Sequence, residues 1–147
     1  MKLSIQLSKE FASEPEVIIQ AQAMTEEVKQ IYNVLAHEEK QDLLMGEREG
    51  TLYPVNWQEV IRLYVEGRGV SAMMIDGKLL FFKMPLYAIE KLVPASFCRI
   101  SKSELIHLKY LKSLKQLPNG MIEIHLAHQI KTYCSRHYVR NIKERLK

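Results

Sequence analysis

The chain has 147 residues, of which 47% are hydrophobic, enough to bury one sizeable core and to leave room for an extension. No apolar run reaches the roughly 18 residues that a membrane span needs, and the N-terminus lacks the apolar core of a signal peptide, so the sequence predicts a cytoplasmic protein. Its two cysteines, Cys98 and Cys134, lie in apolar segments without a CxxC spacing. We expect two reduced core residues, with a disulfide between them as the minor alternative.

The net charge of +4 is unevenly distributed along the chain. Residues 1–50 carry 5 Lys and Arg against 10 Asp and Glu, whereas residues 51–147 carry 16 against 7. A basic region of this kind favours a polyanionic partner, because each Lys or Arg that meets a phosphate releases a counterion. A solvated basic face without a partner is the competing interpretation.

The N-terminal third predicts strands followed by a helix. Apolar and polar residues alternate over residues 2–8 and again over residues 17–23, as in half-buried strands. One long helix from Ser13 is the alternative, because the apolar residues from Val17 onward also fit a heptad spacing. A helix from Thr25 to about Ala36 is expected in either case, with Thr25 as its N-cap. We therefore predict an N-terminal extension over residues 1–50 and a second domain over residues 51–147.

The second domain is predicted to be an α+β fold dominated by antiparallel strands. Asp76-Gly77 and Pro118-Asn119-Gly120 each separate two β-rich runs, as hairpin turns do. Pro94 ends a short helix, and the chain closes with a basic helix that Ser135 caps. The predicted strands cover residues 60–65, 71–75, 78–83, 111–117, 121–127 and 130–134, and the predicted helices cover residues 85–93 and 136–146.

The segment from Phe97 to Leu108 holds a short polar, cationic stretch between apolar anchors. Its exposed candidates are Arg99, Ser101, Lys102 and Ser103. A second basic block runs from residue 135 to the end of the chain. Such displays on a rigid apolar base are typical of recognition surfaces, and we predict that the two act together on DNA.

Catalytic and metal-binding patterns are scarce. The chain has only two aspartates, Asp42 and Asp76, and it lacks both a Gly-rich phosphate loop and a GxSxG motif. His125 and His128 have no thiolate or carboxylate partners at a metal-binding spacing. His107 lies in an apolar segment and is predicted to be a core histidine. We therefore expect neither an enzyme nor a metal site, no cofactor, no small-molecule substrate and no phospho-receiver domain.

The order of these elements resembles the LytTR DNA-binding domain, which occurs in bacterial response regulators and in related stand-alone regulators. The resemblance rests on residues 63–68, 86–92, 97–103, 105–111 and 135–139. It implies an elongated, mostly β domain with short helices, whose loops enter successive major grooves of bent DNA at direct-repeat sites.

The resemblance also assigns roles to individual residues. Arg68, with Val70 near the matching position, would make the first base contact, although Val70 cannot donate a hydrogen bond. Lys102 would reach a guanine or a phosphate, and the planar fork of Arg136 suits a guanine edge. Contacts to phosphates are expected from Arg99, Ser101, Arg140 and Lys143.

These expectations describe a sequence-specific transcription regulator that binds double-stranded DNA as a homodimer. Residues 1–50 would mediate dimerisation or control by a partner, and the stand-alone subgroup suggests a membrane-protein regulator as that partner. A β-rich protein-interaction module with a basic face is the main alternative. Sequence-independent nucleic-acid binding is weaker, because the tyrosines are scattered instead of interleaved with basic residues.

Overall fold

The computed structural model describes residues 2, 4–11, 15–39 and 43–147 and divides into two compact units, Met1–Asp42 and Leu43–Lys147. In the first unit, helix α1 spans Glu26–Glu39. The Thr25 hydroxyl oxygen accepts a hydrogen bond from the backbone N–H of Val28 at 3.3 Å, which satisfies one of the free donors at the helix start. The predicted helix and its N-cap are therefore confirmed.

The remainder of the first unit differs from both predictions for it. The described residues before Thr25 form neither the strands expected at residues 2–8 and 17–23 nor a helix running through residues 15–22. Their apolar side chains are exposed, including those of Ile5, Val17 and Ile18. A strand needs a neighbour for its backbone groups and a layer to cover its apolar face, and this segment has neither among the described residues. Leu3 and Ser13, on which parts of these predictions depended, lie outside the described residues.

A seven-stranded antiparallel sheet forms the larger layer of the second unit. Its strands lie in the order β2-β1-β5-β4-β3-β7-β6. They are β1 (Met45–Arg48), β2 (Thr51–Pro54), β3 (Val60–Glu66), β4 (Gly69–Met74), β5 (Leu79–Phe82), β6 (Phe97–Ser101) and β7 (Glu104–His107). The predicted domain boundary after residue 50 falls in the turn between β1 and β2.

A three-stranded antiparallel sheet and two short helices complete the unit. The sheet has the order β10-β9-β8, with β8 at Leu111–Gln116, β9 at Ile122–Leu126 and β10 at Lys131–Cys134. Helix α2 spans Leu86–Glu90 and helix α3 spans Val139–Arg145. The prediction of a mainly antiparallel β domain with short helices is confirmed.

Two apolar cores hold these layers together. One lies under the large sheet, where Val70, Leu80 and Phe82 pack against helix α2. The other joins β6 and β7 to the small sheet and to Ile142 of helix α3. Cys98 and Cys134 are free and buried in this second core, as predicted, and burial raises the pKa of the Cys134 thiol to about 11.

The structure defines the form of the two basic segments. The Phe97–Leu108 segment is a β-hairpin whose turn contains Lys102. The final helix begins with a 3₁₀ turn at Arg136–Tyr138 before α3. Ser135 occupies the predicted N-cap position, but its side chain makes no capping hydrogen bond, so the first turn is closed by Tyr138 N–H donating to the Ser135 carbonyl at 2.9 Å.

Candidate nucleic-acid interface

Backbone hydrogen bonds bring the β3–β4 turn next to the β6–β7 turn. Strands β3 and β7 are antiparallel neighbours, with Tyr64 opposite Glu104. At the end of this ladder, the Val65 N–H donates to the Ser103 carbonyl at 2.9 Å. Arg68 and Lys102 therefore project from adjacent turns at the same edge of the large sheet.

The start of the C-terminal helical segment is tied to that edge as well. The Ser135 N–H donates to the Ile100 carbonyl at 2.9 Å, and the Asn141 side-chain amide donates to the Arg99 carbonyl at 3.3 Å. These bonds tie the residue before the 3₁₀ turn and a residue of helix α3 to strand β6. Arg136 is thus positioned beside the turn that carries Lys102, and the structure brings together three of the predicted base-contacting cations.

Arg68, Lys102 and Arg136 share an electrostatic property. All three are exposed, and within the described part of the chain their side chains have no ion pair and no hydrogen bond. Their positive charges are therefore not neutralised by any described residue of the protein. An edge that presents three such cations on hydrogen-bonded turns is suited to a polyanion.

Val70 is not part of this edge. Its side chain is fully buried in strand β4 and belongs to the first core. Since it points away from solvent, the first of the three expected base contacts depends on Arg68 alone.

Arg99 and Ser101 serve the hairpin turn itself. The Arg99 guanidinium donates to the Lys102 carbonyl at 2.6 Å and to the Ser101 carbonyl at 2.5 Å, and it pairs with Glu90 at 3.0 Å. The Ser101 hydroxyl oxygen accepts from the Ser103 N–H at 3.2 Å. These contacts set the shape of the turn around Lys102, whereas the predicted phosphate contacts would require Arg99 to exchange several of them.

Arg140 and Lys143 lie on the exposed side of helix α3. Arg140 forms an ion pair with Glu144 at 3.1 Å, one helical turn away. Both partners of this pair are solvated, so it is weak and readily exchanged for a phosphate. Lys143 has no such partner in the described residues, and both cations remain available beside Arg136.

Sequence reasoning missed a buried polar cluster that joins the two sheets at this edge. Glu104 of β7 accepts a hydrogen bond from the Thr132 hydroxyl of β10 at 2.6 Å and pairs with Arg62 of β3 at 3.2 Å. Glu104 is buried, and a buried carboxylate must have such partners. It is the only acidic residue between Phe97 and Leu108, which was the available signal.

Arg145 was likewise counted with the basic surface, and it is exposed, but its guanidinium bonds the protein's own backbone. Its guanidinium donates to the Phe97 carbonyl at 2.9 Å and also to the Ala95 carbonyl. It therefore holds helix α3 against the start of β6. No pattern in the sequence distinguished this arginine from the other basic residues of the C-terminal block.

His107 is a core histidine, as predicted. Its Nδ1–H donates to the Val60 carbonyl and its Nε2 accepts from the Ser96 hydroxyl, both at 2.9 Å, and its ring stacks on Phe97. Burial lowers the pKa of His107, so the ring is neutral at pH 7.

Among the described residues no group of His, Cys, Asp or Glu side chains is arranged to hold a metal ion, and no helix there is both long and apolar enough to span a membrane.

Comparison of the chain with known protein families identifies the domain that carries this edge. Residues 50–147 match the LytTr DNA-binding domain. The chain belongs to the LytTR family. The LytTr DNA-binding domain of a Bacillus cereus response regulator has the same fold, with a TM-score of 0.65 and 16% sequence identity over 71% of this chain and 95% of that domain.

Relatives of similar length occur in Staphylococcus aureus. An HTH-type transcriptional regulator of strain MSSA476 is 34% identical over 99% of this chain and 98% of its own length, and one from the bovine strain RF122 is 33% identical over the same shares. The helix–turn–helix in that name does not describe this LytTR domain. Five strands, β6 to β10, separate its helices α2 and α3, so these helices do not form a helix–turn–helix. The candidate interface is made of turns and the start of the C-terminal helical segment.

Proposed function

We propose that this LytTR protein is a sequence-specific transcription regulator whose turns contact successive major grooves of repeat sites in double-stranded DNA. The observation that carries the proposal is the edge defined by Arg68, Lys102 and Arg136, three cations without an ion pair among the described residues, on turns joined by backbone hydrogen bonds. The names of the staphylococcal relatives support a role in transcription.

The three cations would have different roles. The guanidinium of Arg136 has the geometry to bind guanine O6 and N7 with two hydrogen bonds. Lys102, at the centre of the edge, would reach a guanine or a phosphate, and Arg68 would contact the adjacent part of the groove. Arg140 and Lys143 would bind phosphates and fix the register.

Control of this regulator is proposed to reside in residues 1–50. The chain contains only Asp42 and Asp76, so we infer that it is not switched by phosphorylation of an aspartate within these residues. In helix α1 the partly exposed side chains of Val28, Ile31 and Leu35 form one apolar stripe. This stripe supports dimerisation of the N-terminal units or their association with a partner.

The DNA-binding proposal is tested by selecting duplexes from a random pool with the full chain. We expect an enriched motif in two repeated copies, and an affinity that falls steeply as salt is raised. Arg136→Ala should cost about 1–3 kcal/mol of binding free energy and relax the preference at one base pair, whereas Lys143→Ala should weaken all duplexes equally. Recovery of no motif would overturn the proposal.

The homodimer is tested by sedimentation of the full chain. Replacing both Ile31 and Leu35 by Ser should shift the protein from dimer to monomer, while Asn33→Ser, at an exposed position on the opposite side of the same helix, should not. A wild-type protein that sediments as a monomer at micromolar concentration would contradict dimerisation through α1.

A membrane-protein regulator is the second partner that we propose, and its support is the resemblance to stand-alone LytTR regulators. Affinity purification of the full chain from detergent-solubilised cells of its host should retain a small membrane protein. The double Ile31 and Leu35 variant should lose it if α1 is the contact. Purification without any membrane protein would reject this partner.

A further inference from the structure

The turn between β8 and β9 lies against Arg136. A methyl group placed on Gly120 would be 3.6 Å from Arg136 Cδ and 3.7 Å from both Cγ and Nε. These are ordinary van der Waals distances, so the stem of the arginine runs along the surface of the turn. The loops proposed above for DNA contact do not include this turn.

The register of the small sheet explains this neighbourhood. Cys134, at the end of β10, pairs with Ile122, at the start of β9. The chain that enters β9 and the chain that leaves β10 toward Arg136 are therefore side by side. The other turn of this sheet, His128-Gln129, lies at the opposite end of β9.

Two hydrogen bonds within the turn set its shape. The Gly120 N–H donates to the Leu117 carbonyl at 3.1 Å, and the Met121 N–H donates to the Asn119 side-chain oxygen at 3.0 Å. Asn119 is exposed, and its side-chain NH₂ group has no hydrogen-bond partner among the described residues. The turn thus offers a donor next to Arg136, and neither has a side-chain partner in the part of the chain that the structure describes.

We propose that the β8–β9 turn, residues 117–121, is a fourth element of the DNA-contacting edge. It positions Arg136 by supporting its stem, and it places Asn119 next to the phosphates that flank the base bound by Arg136. This inference rests on the proposed function. A supported stem loses less conformational entropy when its guanidinium binds, and it holds the fork in one direction.

The first test places one negative charge at either end of the small sheet. Asn119→Asp keeps the turn, because the equivalent Asp76 accepts the same bond from the Lys78 N–H in the β4–β5 turn. Gln129→Glu makes the same change of net charge at the opposite turn. We expect Asn119→Asp to lower the affinity for the selected duplex at least about fivefold more than Gln129→Glu does at equal salt.

The second test uses the matched turn at Gly77. Gly77 and Gly120 have φ values of 80° and 84°, and both follow an Asx residue with the same hydrogen bonds. Replacement by Ala therefore strains both turns equally. Nothing lies within 4 Å of a methyl group at Gly77, whereas a methyl group at Gly120 meets the Arg136 stem at ordinary contact distance. Strain in the Gly120 turn can therefore shift the support under Arg136, and strain in the Gly77 turn cannot.

Gly77→Ala and Gly120→Ala should lower the melting temperature by similar amounts. Only Gly120→Ala should also reduce discrimination at the base pair assigned to Arg136, by up to about tenfold. In the Arg136→Ala background, Gly120→Ala should cause no further loss of discrimination. Wild-type discrimination in Gly120→Ala, or equal affinities of the Asn119→Asp and Gln129→Glu variants, would overturn the inference while the wild-type protein still selects its motif. A wild-type protein that selects no motif would instead reject the proposed function and this inference with it.

Discussion

Similar apolar segments are exposed in the first unit of the chain and buried in the second. Val17, Ile18 and Ile19 of the first unit are 68%, 70% and 36% exposed, whereas Ile122 and Ile124 of strand β9 are 2% and 0% exposed. Both segments are rich in β-branched residues. Strand β9 has a hydrogen-bonded neighbour on each side and an apolar layer beneath it, and the described residues of the first unit provide neither. β-Branched residues favour a strand, but the strand forms only where neighbouring strands pair with it and an apolar layer covers it.

This difference locates the folding free energy in residues 43–147. There, two sheets share a core and a buried polar cluster, so the loss of one side chain affects both layers. In the first unit, helix α1 is supported by its own hydrogen bonds and by its N-cap. A helix of 14 residues is marginal in water on those terms. Mutations of the same kind should therefore have very different effects in the two units.

The largest effect is expected from Glu104→Ala. This change leaves Arg62 partly buried without its carboxylate and deprives the Thr132 hydroxyl of its acceptor, which should lower the free energy of unfolding by about 3–5 kcal/mol. Urea unfolding followed by the fluorescence of Trp57, the only tryptophan, measures it. Glu144→Ala, which breaks the solvated pair with Arg140, is the matched control and should change the free energy by less than about 0.5 kcal/mol. Equal effects of the two variants would contradict the buried cluster.

The comparison is sharpened by removing the same atoms from both units. Ile124→Ala should lower the free energy of unfolding by about 2–5 kcal/mol, because it opens a cavity in the second core. Ile18→Ala removes the same groups from an exposed side chain and should stay within about 0.5 kcal/mol of the wild type. The midpoints of urea unfolding decide between these values. A large effect of Ile18→Ala would mean that the N-terminal segment is buried in solution.

A smaller effect is expected from the protonation of His107. The fold lowers the pKa of this ring below its usual value of 6.5 because the ring is buried, so the unfolded chain binds the proton more tightly. The contribution of this ring to the free energy of unfolding should therefore be constant above about pH 6.5 and fall as the pH drops toward the native pKa, with a slope of at most about 1.4 kcal/mol per pH unit.

Urea unfolding between pH 5 and 8 measures this slope. His107→Gln, whose amide can replace one of the two hydrogen bonds, should be less stable at pH 8 and should lose the contribution of this ring to the slope. An unchanged slope in His107→Gln would assign the pH dependence to other groups.

The sequence predicted most of the second unit because its local signals agree with its long-range pairing. Asp76-Gly77 and Asn119-Gly120 predicted two hairpin turns, and the strands on either side of each turn pair with each other in the structure. The same alternation misled us at residues 2–8, where no neighbouring strand exists in the described residues. Pairing partners are a property of the whole chain, so a local pattern cannot supply them.

The candidate site was less predictable because the charge of a basic residue does not show whether its side chain binds other groups of the protein or faces solvent. Arg99, Arg136 and Arg145 are equivalent in a count of basic residues. Arg99 and Arg145 bind backbone carbonyls of the protein, whereas the Arg136 side chain has no partner among the described residues. The position of Val70 in the chain suggested that it lies near a base contact. In the structure its side chain in β4 is buried in the first core, so it does not reach the candidate interface. Which way a side chain points, and which carbonyl lies within its reach, depends on tertiary packing.

The smallest effect is expected from Thr25→Ala, and it tests whether the two units unfold separately. Loss of the N-cap bond to the Val28 N–H should destabilise helix α1 by about 1 kcal/mol, which is enough to increase fraying at its start. The Cα chemical shifts of residues 26–30 should move toward coil values, while Thr25→Ser, which keeps the cap oxygen, should leave them in place. Because the loss is confined to α1, the unfolding midpoint reported by Trp57 should be the same in both variants as in the wild type. A lower Trp57 midpoint in Thr25→Ala alone would show that the helix contributes to the stability of residues 43–147, and the contrast between the two units would then be smaller than their exposed side chains suggest.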